Sequence, residues 1–128
     1  MGKKGKSFWR EDSKDKKGNP LKHLYFVISN PDIDNNVLVV NMTTVKNTGR
    51  EDLSCILDVG DHPEITNKSY IKYDKAIELG TAKMIELAMK KIIILKKGLD
   101  PTVLKRIQEG AEKSSALSGK FKKYFSSF

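Results

Sequence analysis

Hydrophobic and polar positions alternate in short blocks through the first half of the chain. Leu24 to Ser29 is a continuous apolar, β-branched and aromatic run of strand length, closed by Asn30-Pro31. Val37 to Thr44 is a second such run, entered from the turn residues Asp34-Asn35-Asn36. Two runs of this kind separated by a short turn-rich loop predict a β-hairpin. Ser54 to Leu57 predicts a short third strand. Ser69 to Tyr73 predicts a fourth, which continues past a bend at Asp74 into Ala76–Leu79. Polar loops separate them at Lys46–Asp52 and Asp58–Asn67. Such a series suits a small β-barrel, which carries polar residues on its rim, at strand ends and in loops.

The period changes after Thr81. Ala82, Ile85, Leu87, Ala88 and Met89 fit a helix better than a strand. Ile92 to Leu95 either ends that helix or forms a fifth strand, and its β-branched residues favour the strand. Asp100-Pro101 is a helix start, with a side-chain acceptor at the cap and proline in the first turn. Val103, Leu104, Ile107 and Ala111 then recur on one face, and that stripe is expected to dock on the barrel or on a second subunit. The expected fold is α+β: a small barrel of about five strands with a C-terminal amphipathic helix. Residues 21–116 form the domain, 1–20 a flexible basic arm, and 117–128 a basic aromatic tail.

Charge sharpens this division. Of the formal +8, residues 1–22 contribute eight Lys or Arg against three acids, and residues 113–128 four Lys and no acid. The body between them is close to neutral. Cationic ends either raise the encounter rate with polyanions or simply keep a small protein soluble. Phe8-Trp9 in the first segment and Phe121, Tyr124, Phe125 and Phe128 in the last can stack on bases, on the protein's own core or on a partner. The single cysteine, Cys55, cannot form an internal disulfide, and its apolar setting points to a buried inert thiol. No apolar run reaches membrane-span length, and no signal-peptide core follows the first lysines, so a cytoplasmic protein is expected.

No phosphate-binding glycine loop, zinc motif or nucleophile elbow is present, and no metal or other cofactor is expected. The remaining chemistry lies in His, Thr, Ser, Tyr and Lys residues. His23 heads the first strand of the hairpin, and Thr43 and Thr44 end the second. An antiparallel hairpin brings those ends to one rim. Histidine is the side chain that exchanges protons near neutral pH. His62 lies in the Asp61-His62-Pro63 loop, and Ser69 and Tyr73 share a face of the following strand, with Lys72 on the other. Each also has a plainer reading: strand propensity for the threonines, a loop hydrogen bond for His62, core packing for Tyr73.

The arrangement LYFVISNP, turn, VLVVNMTT resembles the opening hairpin of the MazF/PemK-like toxins, and SYIKYDKAIEL is similar to the strand entering the back of their barrel. The resemblance implies an SH3-like barrel and a metal-independent endoribonuclease of a toxin–antitoxin system, with RNA as substrate and a cognate antitoxin as partner. It also implies a homodimer through the C-terminal helix. Family members usually carry Arg-Pro at the head of the first strand, where this chain has Lys22-His23. Only the strand-head position and the Thr43-Thr44 pair carry over from the family, whose pattern lacks the Asp61-His62-Pro63 loop. Joined to the rim residues read above, they make His23, Thr43, Thr44 and His62 the expected catalytic residues, with Lys22, Ser69, Lys72 and Tyr73 binding substrate. The competing expectation is a non-catalytic SH3-like barrel that holds single-stranded nucleic acid or a protein.

Overall fold

A computed structural model describes residues 3–128, with backbone alone for 12 and 13. Its strands are β1 (Ser7–Lys14), β2 (Pro20–Val27), β3 (Asn36–Thr44), β4 (Ile56–Leu57), β5 (Ser69–Ile71), β6 (Ile77–Gly80) and β7 (Ile93–Lys96). Helix α1 spans Thr81–Met89 and α2 spans Pro101–Lys113, while Tyr73–Lys75 and Gly119–Ser127 are 3-10 helical. The strands form one antiparallel sheet in the order β4-β5-β3-β2-β1-β7, with β6 also paired to β3. The class is α+β. The ladder ends at β4 and β7 without closing, and it has seven strands where about five were expected.

The central strand is β3, whose Val37-Leu38-Val39-Val40 run is fully buried. A short unbroken apolar run suits a strand covered on both faces, and alternation divides it between two cores. Leu38, Val40 and Met42 join Leu24, Phe26 and Ile28 in the larger core, under Val103, Ile107 and Ala111 of α2. Val37 and Val39 join Tyr25, Val27 and Phe8 in the smaller one, under Met84 and Leu87 of α1.

Helix α2 starts as its sequence predicts. The Asp100 carboxylate accepts the Thr102 N–H at 2.9 Å, with Pro101 in the first turn. Buried Gln108 donates from Nε2 to the Ile28 carbonyl at 3.0 Å and ties the helix to the end of β2. The apolar stripe of α2 thus packs within its own chain. The face bearing Lys105, Glu109 and Glu112 is exposed.

Both termini depart from the expected arm and tail. Residues 7–14 form β1, hydrogen-bonded to β2 on one side and β7 on the other. Phe8 is buried and stacks on Tyr25 with ring centroids 5.3 Å apart, while Trp9 projects toward the opposite face and packs against the larger core. The two adjacent aromatics thus give each core one ring from a strand whose composition otherwise reads as solvated. The β1–β2 turn is held by Asp15, whose carboxylate accepts N–H bonds from Lys17 and Asn19 at 2.9 and 2.8 Å, around Gly18 at φ 82°. At the other end Phe121 and Tyr124 are buried in the larger core. The Tyr124 hydroxyl donates to Glu78 at 2.5 Å. No helix among the described residues is long and apolar enough to cross a membrane.

Candidate functional site

The hairpin of β2 and β3 comes apart at one end. Its paired register runs Val27↔Val39, Phe26↔Val40, Tyr25↔Asn41 and stops there. Beyond Asn41, β3 pairs instead with β5, through Met42↔Ile71, Thr43↔Tyr70 and Thr44↔Ser69. The first half of β2 stays with β1. The seam between the diverging strands holds a cavity of about 170 Å³.

Lys22, His23, Thr43, Thr44 and Ser69 all line this cavity. They do not share one face of the sheet. Alternation puts His23 in step with Tyr25 and Val27, and Thr43 in step with Asn41, on the side covered by α1. Lys22 and Thr44 fall in step with Leu24 and Met42, on the side covered by α2. The seam receives residues of both phases because no ladder bridges it. Ser69 is buried, and its hydroxyl donates to the Asn67 carbonyl at 2.8 Å, tying it to the loop from which Thr66 and Asn67 also line the cavity.

Three expected site residues lie elsewhere. His62 is 3 % exposed and borders a separate cavity of about 420 Å³. Its Nδ1 accepts the Glu64 N–H at 3.1 Å, so the ring proton sits on Nε2, which is 2.6 Å from the Lys97 carbonyl and 3.1 Å from Ser7 Oγ. The Ser7 hydroxyl donates to the same carbonyl. Those contacts make His62 a clamp between the 62–64 loop and the outgoing end of β7. Tyr73 is buried, and its hydroxyl donates to the Ile107 carbonyl at 2.7 Å within α2. Burial, ahead of the neighbouring Cys55, holds that phenol in its protonated form far above the usual range. Lys72 is half-buried and donates its backbone N–H to the Asn41 carbonyl at 2.9 Å, away from the cavity.

Sequence patterning did not single out Glu64, Asn67 or Trp9 for this site, yet all three line the cavity. Glu64 pairs with Lys96 at 3.3 Å. Its place two residues after His62 carries no periodic signal, because loop geometry alone brings it to the seam. Trp9 was visible only as an aromatic within a cationic segment. Among the described residues no group of three or more His, Cys, Asp or Glu side chains is placed to hold a metal ion. No protein-family model matches the chain, and no curated protein matches it significantly.

Proposed function

We propose that the protein is a toxin-like, metal-independent endoribonuclease whose active site is the seam between β2 and β3. The supporting observation is the gathering of His23, Lys22, Thr43 and Thr44 around one cavity at the open end of the hairpin. Its fold would be an open variant of the SH3-like barrel of MazF/PemK-like toxins, in which Lys22-His23 stands where the family has Arg-Pro.

In this reading His23 removes the proton of a ribose 2′-OH, and the resulting oxygen attacks the adjacent phosphorus. The bond from phosphorus to the 5′ oxygen breaks as the 2′,3′-cyclic phosphate forms. Thr43 and Thr44 hydroxyls and the Lys22 ammonium face the charge that develops on the phosphoryl oxygens. The departing 5′ oxygen takes its proton from Lys22, since neither His62 nor Tyr73 lines the cavity. Partners in this account are RNA and a cognate antitoxin, in a cytoplasmic setting. A homodimer through α2 would use the polar exposed face of that helix, its apolar stripe being covered already.

The test is incubation with total RNA in EDTA, followed by analysis of fragment ends. Fragments carrying 2′,3′-cyclic phosphate, and growth arrest on induction in a bacterium, are expected. Retention of RNA without cleavage supports the second reading, a non-catalytic single-stranded nucleic-acid module. The alternation that separates His23 from Thr44 favours that second reading; the shared cavity favours the first.

A further inference from the structure

On the α2 side of the sheet, beyond the seam, three adjacent strands present an aromatic residue flanked by cations. The register aligns Leu24 of β2, Trp9 of β1 and Ile94 of β7 side by side. Two residues from Leu24 and Ile94, on the same face, stand Lys22 and Lys96. Trp9, Lys22, Ile94 and Lys96, with Pro20, line a third cavity, also of about 420 Å³ and distinct from the one beside His62. Trp9 and Lys22 also line the cavity at the seam, so the two hollows share a wall. Ile94 is 47 % exposed, and Trp9 is half-buried with its other side on the core.

We propose that this surface is a base-stacking subsite for single-stranded nucleic acid, with one base against Trp9 and the adjoining phosphates on Lys22 and Lys96. An aromatic ring backed by a rigid sheet and set between lysines combines the two elements that hold single strands, a π-face and a cationic track. Phe8, its neighbour in the chain, points the other way and is used in the core. Lys96 forms an ion pair with Glu64 in which both side chains are about one-third exposed, so the pair remains open to solvent and a phosphate can compete with the carboxylate for the ammonium. A strand lying over Trp9 would reach the seam across Lys22, which is common to both hollows. The subsite rests on the nucleic-acid part of the proposed function and is independent of cleavage.

Trp9 is the only tryptophan, so its fluorescence reports on the subsite directly. The full chain is titrated with short oligothymidylate, which lacks the 2′-OH and cannot be cut by 2′-OH attack, and in parallel with inorganic polyphosphate. Saturable quenching by oligothymidylate, with little change on polyphosphate, is expected. Labelled-oligonucleotide anisotropy should show Trp9→Leu binding roughly 5- to 100-fold more weakly, and Trp9→Phe within a few-fold of wild type. Lys96→Gln should lower the slope of log affinity against log salt by about 0.7. Equal quenching by polyphosphate, an unquenched wild type, or Trp9→Leu and Lys96→Gln proteins that fold and bind with unchanged affinity and salt slope, would overturn the subsite. Quenching without RNA cleavage leaves the subsite standing and removes the nuclease. Cleavage with no role for Trp9 does the reverse.

Discussion

The His62 imidazole and the Ser7 hydroxyl meet 3.1 Å apart, across 55 positions of sequence, and both converge on the carbonyl of Lys97. Their contact joins the start of β1, the end of β7 and the loop that carries Glu64 to the seam. The histidine singled out by its loop is thus a buried structural link, and the half-buried His23 is left as the imidazole at the cavity.

The two histidines should separate stability from activity. His62→Ala removes a buried, fully bonded ring and is expected to cost about 1–3 kcal/mol of unfolding free energy. RNA cleavage per folded molecule should be retained at low temperature. A His62→Ala protein of normal stability that no longer cleaves would return His62 to the chemistry.

Tyr73 and Gly110 form a second structural contact. The Tyr73 hydroxyl reaches the Ile107 carbonyl, and a Cβ on Gly110 would lie 2.9 Å from Cys55 Cβ and from the Ser54 carbonyl. Tyr73→Phe is expected to destabilise the fold by about 0.5–1.5 kcal/mol without changing cleavage. Gly110→Ala should cost about 1–3 kcal/mol by overpacking. Denaturant unfolding measures both, and an Ala variant as stable as wild type would show that α2 can shift away from the 54–55 segment.

Much of this arrangement was legible in the chain. The β2–β3 hairpin, the helix after Thr81, the strand at Ile93 and the Asp100 cap follow from periodicity and turn chemistry that act locally. What escaped depends on distant partners. β1 is a strand because β2 and β7 flank it, and the 119–127 segment is ordered because Phe121 and Tyr124 find the core. Local composition at both ends reads as solvated, and only tertiary burial reverses it. At the site, hairpin geometry predicts His23 and the threonines at one rim, and all three line the cavity there, with Thr44 on the opposite face from His23. It did not foresee that β3 would leave β2 after Asn41, which is what opens the seam and admits Trp9 and Glu64.

The loop before β4 should respond to acid through Glu51. Its carboxylate accepts N–H bonds from Thr48, Gly49 and Lys46 at 3.1, 3.1 and 3.2 Å. These, the Thr48 amide foremost, pull its pKa from 4.5 to about 2. A depressed folded-state value stabilises the loop fully above 4.5 and progressively less as pH falls to about 2. Amide exchange at 46, 48 and 49 should therefore stay slow at neutral pH, relative to Glu51→Gln, and the difference should vanish near the lower limit. An NMR titration of Glu51 with a midpoint near 4.5 would contradict this.

Cys55 is 5 % exposed, and burial pushes its thiol up to about 11, partly offset by the Arg106 cation. Native protein at pH 8 should react with a thiol reagent only at the rate of unfolding. Rapid labelling of the folded protein would show that the 54–56 segment opens on its own.

The most direct measurement is the single-turnover rate of RNA cleavage in EDTA, wild type against His23→Ala, with fragment ends identified chemically. Loss of one acid–base group predicts a fall of roughly 10²–10⁴-fold, with 2′,3′-cyclic phosphate on the wild-type products. Cleavage by His23→Ala at the wild-type rate, or no cleavage by either protein, would contradict the assignment of the seam as a ribonuclease site.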